Sequence, residues 1–511
     1  MIPVRRGGRS AVARSPRRGE LTARAAASAA AGLAWVLALP PGGMWWLGPV
    51  AVALLGAAVL GLGARWRALI GGTTGLVMFA VTLRWATIFT VPGYIVLVLV
   101  EASFLALAAV LVPQRRRTAV VALPAAVTLA EWLRHQWPLG GLPVSSLALG
   151  QVDGPLLPLA ALGGPPLLTF AVAALGALLL AATTERGWRT GIAVLGGLGL
   201  LGAGALVPSA PGTAPASDPL LVAAVQGGGQ RGLPSARSGP TDVLARHVRA
   251  SGQIDGEVDL VLWPENVVDV AGPLAGSRQA AAVSTLAVRL GAPIVAGVTI
   301  DAPPSVRDRP DVRRFRNLAV VFNDDGTIGP TYDKVRRVPF GEYVPLRPLV
   351  EQIADLSLIP RDAVPGQGPG VLQTSVGRLG VMVSFENLFP GRARAAVAGG
   401  ATVLLVPTNA SSYVTDDIPA QQLAAARLRA VESGRWLALA GPTGPTAIVD
   451  ATGAVRARSR LEEQTVVEAP LQPRSGRTPY GALGDTPVLV LSVALLAGVR
   501  LRGRSHRAAA R

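Results

Sequence analysis

The stretch "PSAPGTAPASDP" at residues 208–219 separates two parts of the chain that differ in composition. Proline, alanine and serine at this density are typical of a linker. Before it, the chain consists mostly of long apolar runs, whereas after it short apolar runs alternate with amphipathic stretches. The segment therefore predicts a two-part architecture, with a helical membrane domain followed by an α/β domain.

The part before the linker contains seven apolar stretches, and an eighth follows near the end of the chain. A helix needs about 20 apolar residues to cross the hydrocarbon core of a bilayer. The stretches lie roughly at 22–40, 45–63, 68–90, 92–112, 118–136, 156–183, 189–207 and 486–503. We therefore predict a seven-span membrane domain over 22–207 and a C-terminal span over 486–503.

Arginine-rich loops occur at every second boundary between these stretches. They lie in residues 1–21, in "RWR" at 65–67, in "QRRR" at 114–117, in "ERGWR" at 185–189 and in "RLRGRSHR" at 500–507. The positive-inside rule then places the N-terminus and the tail at 504–511 in the cytoplasm. An odd number of spans precedes the domain at 220–475, so we predict it on the outer side of a bacterial cytoplasmic membrane.

The first stretch, with arginines before "ARAAASAAAGLA", is also compatible with a secretory signal. Because six more stretches follow it, we favour a signal-anchor. Two charged residues, Arg84 and Glu101, lie in predicted spans, where charge is costly. We expect them to pair with each other, and the alternative is that they line a path for lipid headgroups. The segment 131–151 is too polar for a span and predicts a re-entrant or interfacial element on the outer side.

Composition excludes several function classes. The net charge is +17, but the arginines cluster between apolar runs, which indicates membrane topology and no nucleic-acid partner. The chain has no cysteine, which excludes disulfides and thiolate chemistry. Its three histidines, His135, His247 and His506, are too few for most histidine metal cages. We predict no metal and no cofactor, which leaves Glu, Asp, Lys, Ser and Tyr for catalysis.

Beyond the linker, short runs rich in β-branched residues predict the strands of an α/β domain. Helical patterns separate them at 241–252, 277–290 and 418–433, and "NDDG" at 323–326 and "DATG" at 450–453 predict hairpin turns.

Three polar residues in this domain follow apolar runs, namely Glu265, Lys334 and Ser384. Strand ends are where α/β proteins build their sites. Taken singly, such a glutamate is commonly a capping or solvated residue, and such a serine is commonly a helix N-cap. Lys334 is the one lysine among 48 basic residues. Codon bias could have left it by chance, but arginine cannot supply a compact ammonium group.

These residues lie in the motifs "WPEN" at 263–266, "YDKVRRVPFGEYVP" at 332–345 and "GVMVSFENLFP" at 380–390. In this order they resemble the motifs of the nitrilase, or carbon–nitrogen hydrolase, superfamily. Together with the membrane layout, the whole chain resembles the apolipoprotein N-acyltransferase family. The resemblance implies an αββα sandwich outside the membrane that moves an acyl group from a phospholipid to the enzyme. The acyl group then passes to the N-terminal amine of a diacylglyceryl-cysteine lipoprotein, and we expect the enzyme to act as a monomer.

The resemblance also implies a role for each matched residue. Glu265 is the general base, Lys334 stabilises the oxyanion, and Ser384 occupies the position of the nucleophile. Glu342 matches a second glutamate that orients this network. Glu386 matches an acidic position within the nucleophile motif.

The chain departs from the family at two places. The family has cysteine at position 384, where this chain has serine. It also has an acidic residue and a tryptophan in the loop "TNASSY" at 408–413, where this chain has Ala410 and Ser412. We expect that loop to shape the acceptor pocket.

Several hypotheses therefore remain open. The leading one is an N-acyltransferase that uses Ser384. The others are a weak or inactive family member that binds lipid or lipoprotein, and a membrane-tethered amidase or acyltransferase with another acceptor. A transporter is disfavoured by the large outer domain.

Overall fold

The computed structural model describes residues 17–184, 187–229, 240–303, 312–352, 355–356, 359–413 and 416–508. In these ranges the chain forms a bundle of helices and a two-sheet α/β domain.

Each predicted apolar stretch contains one helix of the bundle. These helices are α1 (Arg18–Ala38), α2 (Leu47–Val59), α3 (Ala64–Thr82), α4 (Val91–Leu111), α5 (Arg116–Arg134), α6 (Ala160–Thr184), α7 (Trp188–Ala203) and, after the α/β domain, α14 (Thr486–Ala508). By length and composition, four described segments can cross a membrane: Arg18–Ala38, Val91–Leu111, Leu157–Thr183 and Trp188–Leu206.

Small residues let α3 and α4 approach each other closely. A Cβ atom added at Gly71 would lie 2.4 Å from the Cβ atom of Ala109, and one added at Gly75 would lie 2.6 Å from the Cα atom of Ala102. Any larger side chain would force the two helices apart. Backbone proximity of this kind is how helices associate in a solvent that offers no hydrophobic driving force.

In the described residues, the α/β domain contains two large sheets and a two-stranded sheet. The strands are β1 (Thr213–Pro215), β2 (Leu220–Gln226), β3 (Leu260–Leu262), β4 (Val268–Val270), β5 (Ile294–Asp301), β6 (Arg313–Phe322), β7 (Ile328–Asp333), β8 (Arg361–Ala363), β9 (Val371–Thr374), β10 (Gly377–Val381), β11 (Val403–Pro407), β12 (Leu437–Ala440), β13 (Ala447–Val449), β14 (Val455–Arg458), β15 (Thr465–Leu471) and β16 (Arg474–Gly476). The first large sheet has the order β15-β2-β3-β5-β6-β7, with β4 on β5 and β8 on β6, the second has the order β14-β13-β12-β11-β10-β9, and β1 and β16 form the two-stranded sheet.

Helices cover the outer faces of both sheets. They are α8 (Pro240–Ser251) and α9 (Arg278–Leu290) on the first sheet, and α11 (Pro390–Ala398) and α12 (Ile418–Ser433) on the second. The domain also contains two short helices, α10 (Arg347–Val350) and α13 (Pro479–Leu483). Alternation along β2 shows the layering, because Val222 lies in the core between the sheets while Ala223 packs on the side of α8 and α9. On the other side, α11 and α12 pack on the second sheet. The predicted αββα sandwich is therefore confirmed.

The two hairpin turns predicted from the sequence are present in the structure. The "NDDG" turn joins β6 to β7, and the "DATG" turn joins β13 to β14. The Pro/Ala/Ser segment at 208–219 is not only a linker, however, because β1 lies inside it and pairs antiparallel with β16.

The expected pairing of Arg84 with Glu101 is wrong. Arg84 lies just beyond the end of α3 with 72% of its side chain exposed, and its Nη2 atom is 3.6 Å from Oδ1 of Asp416. Glu101 lies midway along α4, is buried, and pairs with Nη1 of Arg134 at 3.2 Å. The two residues lie at different depths, so each takes a partner from the element opposite it.

The segment 131–151 connects the bundle to the α/β domain. It leaves the helical conformation after Arg134, whose Nη1 atom donates to the carbonyls of Leu142 and Val144 at 2.7 and 2.9 Å. The backbone N–H of Ser145 donates to Oε1 of Gln421 on α12, at 2.7 Å. Buried polar contacts on both sides therefore fix this nonhelical stretch.

Candidate active site

The structure brings Glu265 and Lys334 together at one end of the first sheet. Glu265 follows β3, and Lys334 directly follows β7. The ammonium group of Lys334 donates to Oε1 of Glu265 at 2.8 Å and to Oε1 of Glu342 at 2.9 Å. Both Lys334 and Glu265 are almost fully buried. The side chain of the one lysine in the chain thus bridges two carboxylates.

Asn317 completes this network, and the sequence analysis did not identify it. Its Nδ2 atom donates to Oε1 of Glu265 and to Oε1 of Glu342, each at 2.8 Å. Asn317 is buried on β6, directly before the apolar run at 318–322. A polar residue at the edge of an apolar run is the signal that could have revealed it, because buried polar groups need partners.

Burial and the neighbouring charges both shift the pKa values of Glu265 and Lys334. Burial raises the pKa of Glu265, the Lys334 ammonium opposes the rise, and the Glu342 carboxylate adds to it. Burial also opposes the charge of Lys334, but the two carboxylates outweigh burial and raise its pKa above the ordinary value. The site therefore keeps a permanent cation beside a carboxylate that is more basic than usual.

Ser384 lies at a sharp turn after β10. Its φ is 52°, in the left-handed region that a residue with a side chain seldom adopts. Residues Ser384–Leu388 then form a short 3₁₀ turn. The hydroxyl of Thr408, which follows the neighbouring strand β11, lies 3.3 Å from Oγ of Ser384 and also within hydrogen-bond distance of Oε1 of Gln422. Such a strained strand-to-helix turn is a known way to present a nucleophile.

The side chain of Glu386 connects the segment after Lys334 to the segment before Ser384. This fully buried carboxylate accepts hydrogen bonds from the backbone N–H groups of Val335 and Arg336 at 2.9 and 3.0 Å. It also accepts from the N–H of Val383 at 2.9 Å and from the hydroxyl of Tyr332 at 2.8 Å. The segment after Lys334 and the segment before Ser384 are therefore tied to one side chain.

A cavity of about 570 Å³ opens above these residues. Glu265, Lys334, Glu342 and Ser384 form its polar end. Its other walls come from the helical bundle, through Trp85, Leu97 and Glu101, from the connecting segment, through Pro138, Leu139 and Leu142, and from the "TNASSY" loop, through Asn409, Ser412 and Tyr413. A largely apolar cavity with a few convergent polar groups is the usual form of a site for an apolar ligand.

Comparison with known families agrees with this architecture. The model described as apolipoprotein N-acyltransferase N-terminal domain matches residues 31–204, and the model described as carbon-nitrogen hydrolase matches residues 221–480. The apolipoprotein N-acyltransferase of Azotobacter vinelandii is 32% identical, over 94% of this chain and 95% of its own length. The chain belongs to the apolipoprotein N-acyltransferase family. The enzyme of that name from Pseudomonas paraeruginosa is likewise 32% identical, over 94% of this chain and 96% of its own length.

Solved structures of the nitrilase superfamily also resemble the chain. Saccharomyces cerevisiae Nit3, described as a member of branch 10 of that superfamily, is 22% identical with a TM-score of 0.38, over 50% of this chain and 91% of its own. An amidase from Nesterenkonia sp. is 22% identical with a TM-score of 0.36, over 53% of this chain and 96% of its own.

Family membership fixes the class of chemistry. Apolipoprotein N-acyltransferases are acyltransferases built on the carbon–nitrogen hydrolase fold, and lipoproteins are their substrates. Position 384 of the chain is serine, within the motif "GVMVSFENLFP".

Proposed function

We propose that this protein transfers a fatty acyl group from a membrane phospholipid to the N-terminal amine of a diacylglyceryl-cysteine lipoprotein, through an ester on Ser384. The observation that carries the proposal is the buried Glu265–Lys334–Glu342 network, which lines the same apolar cavity as Ser384. A binding-only relative would have no use for a buried ammonium held between two carboxylates, because burying such charges costs several kcal/mol each.

The first half-reaction loads the enzyme. Oγ of Ser384 attacks the acyl carbonyl of the phospholipid while Glu265 takes the hydroxyl proton. The Lys334 ammonium stabilises the oxyanion that forms on the carbonyl oxygen. The bond to the glycerol oxygen then breaks, and that oxygen takes the proton from Glu265. A lysophospholipid leaves, and the acyl group stays on Ser384 as an ester.

The second half-reaction delivers the acyl group. The N-terminal amine of the lipoprotein attacks the ester carbonyl and loses a proton to Glu265. When the tetrahedral intermediate collapses, the bond to Oγ of Ser384 breaks and the oxygen regains that proton. The raised pKa of Glu265 suits this work, because a base is more effective when its pKa approaches the working pH. Glu342 and Asn317 hold the base and the ammonium in position.

We propose further that all eight helices of the bundle cross the membrane, with both termini in the cytoplasm and the α/β domain outside. The alternation of arginine loops supports this topology. The walls of the cavity support it as well, since residues of α4 and of the turn after α3 line it beside Ser384. A lipid could then reach the nucleophile along the bundle without leaving the bilayer.

Trapping the intermediate tests this function. Incubation of the purified protein with phospholipid alone should add one acyl chain to its mass, on the peptide that contains Ser384. The ester should survive neutral hydroxylamine that cleaves thioesters. Ser384→Ala should abolish the adduct and also transfer to a diacylated lipopeptide.

Ser384→Cys is the matched control. It should acylate at least as fast, since a thiol ionises more readily than an alcohol, and its adduct should be sensitive to hydroxylamine. Transfer to lipopeptide without any adduct on Ser384 would refute the serine mechanism. The absence of both the adduct and transfer would favour a binding-only role.

A further inference from the structure

A second cavity, of about 540 Å³, lies on the opposite side of the loops that carry Lys334 and Ser384. One wall comes from the outer ends of the bundle, including Trp132 of α5 and Pro165 of α6. The other comes from the α/β domain and contains three arginines, Arg336, Arg392 and Arg394. The mechanism described above assigns no role to this cavity.

Two of the three arginines, Arg336 and Arg394, lie over aromatic rings. The guanidinium of Arg336 lies 4.8 Å from the ring centre of Phe389, and its Nη1 atom donates to the carbonyl of Gly140 at 3.3 Å. The guanidinium of Arg394 lies 5.4 Å from the ring centre of Tyr480. Ring contacts of this kind orient a guanidinium without neutralising it.

Arg392 contributes a third guanidinium, which forms an ion pair with the buried carboxylate of Glu386. It donates to the carbonyl of Gly368 at 3.1 Å, and its Nε atom is 3.5 Å from Oε1 of Glu386. Within the described part of the chain, the buried Nε atoms of Arg392 and Arg394 have no hydrogen-bond partner. Buried donors without a partner are costly, and they indicate a site that a ligand completes.

Within the described residues, neither of the two carboxylates that line the cavity forms an ion pair with these arginines. Glu131 accepts from Thr169 at 2.7 Å and from the N–H of Leu147 at 3.0 Å, and it lies 3.6 Å from Arg134. Asp485 accepts hydrogen bonds from side chains of the bundle and of α13. The first turn of α11 also lines the cavity, so the positive end of its dipole adds to the field.

We propose that this second cavity binds a phosphate group, and that in the membrane the phosphate belongs to an anionic phospholipid headgroup. Several guanidinium groups that converge on one cavity match the geometry and charge of phosphate. The lipid assignment rests on the membrane placement proposed above, whereas the phosphate assignment rests on the arginines alone.

Occupancy of this site would affect the catalytic loops. Val335 and Arg336 line the second cavity immediately after Lys334, which lines the first. Likewise, Phe389 lines the second cavity just after Leu388, which lines the first. Because each loop lines both cavities, a phosphate bound in the second cavity would restrict the loops that carry Lys334 and Ser384.

Native mass spectrometry of the full-length protein in detergent tests the proposal. The probe is an ether-linked phosphatidylglycerol, which the transfer reaction cannot consume. We expect Arg394→Gln to weaken the binding of one phosphatidylglycerol molecule about tenfold or more. Arg337→Gln is the matched control, because Arg337 also lies over an aromatic ring, 4.0 Å from the centre of Tyr343, but is not among the residues that line either cavity. It should leave this binding unchanged within about twofold.

Competition experiments distinguish a free phosphate ion from an intact lipid headgroup as the ligand. Inorganic phosphate that competes with the lipid would show that the phosphate group is recognised. Failure of phosphate to compete, with lipid binding still dependent on Arg394, would assign the site to the intact headgroup. Equal lipid binding by wild type and Arg394→Gln would overturn the proposal. If Arg394→Gln fails to fold, Arg336→Gln provides the same test. Binding in the second cavity does not require an acyl group on Ser384, so failure of the proposed function would not change either result.

Discussion

Ser384 lies beside the hydroxyl of Thr408, and this neighbour is suited to an oxygen nucleophile. The Thr408 hydroxyl has one proton and two acceptors within reach, Oε1 of Gln422 and, at 3.3 Å, Oγ of Ser384. A serine oxygen that loses its proton gains from such a donor, whereas sulfur is a weak hydrogen-bond acceptor. Serine at position 384 therefore has a neighbour that can support it as a nucleophile.

We accordingly expect Thr408→Val to slow acylation by wild type about tenfold, in line with the loss of one hydrogen bond of about 1.5 kcal/mol to a charged group. In a Ser384→Cys background the same change should cost much less. Single-turnover acylation rates for the four proteins of this double-mutant cycle provide the measurement. Thr408→Ser should restore the rate, and equal losses in both backgrounds would contradict the idea.

The charge of Glu342 should set the pH range of the reaction. Its carboxylate raises the pKa of both Glu265 and Lys334. Glu265 must be deprotonated to act, so the rate should rise with pH through its pKa, above the ordinary value of 4.5. Glu342→Gln should move this acid limb to lower pH. It should also move any basic limb to lower pH, because Lys334 loses its proton more easily. Profiles of kcat/KM against pH test both shifts, and an acid limb that moves upward would refute the assignment.

At the scale of elements, strands, helices and hairpin turns were predictable because the sequence carries their signals locally. The "NDDG" turn and the helix at 418–433 are examples. Contacts between distant elements were not predictable in this way. Asn317 and the partners of Arg84 and Glu101 depend on which elements face each other, which one sequence does not specify. The positions of Glu265, Lys334 and Ser384 came from motif resemblance, while their mutual geometry came from the two-sheet packing.

Glu386 illustrates such a contact, because it links the loop after β7 to the turn after β10. Replacing it by alanine would leave the N–H groups of Val335, Arg336 and Val383 without their acceptor. Breaking a buried ionic cluster typically costs about 3–5 kcal/mol. We expect Glu386→Ala to lower the free energy of unfolding by about that amount and to abolish acylation. Chemical denaturation followed by tryptophan fluorescence measures the first effect. A variant with wild-type stability would show that the loops hold themselves in place.

For the whole molecule, the natural absence of cysteine offers a direct test of topology. Gly256 lies on an exposed loop of the α/β domain with nothing within 4 Å of an added Cβ atom. Gly256→Cys should react with a membrane-impermeant maleimide in intact spheroplasts. Arg65→Cys, in the exposed first turn of α3, should react only after permeabilisation. The reverse pattern would place the α/β domain in the cytoplasm and remove the basis for lipoprotein acylation.

The chain has a single lysine and that lysine is buried, so cleavage after lysine can report on unfolding. A protease that cuts only after lysine has a single target, the bond between Lys334 and Val335, and in the folded protein Lys334 is 2% exposed. Cleavage therefore has to wait until the α/β domain opens, and it yields just two fragments. The yield of cut chain after a brief pulse of protease would then count unfolded molecules directly, without a dye or a label. The residue proposed to stabilise the oxyanion would also report on the integrity of the domain that surrounds it.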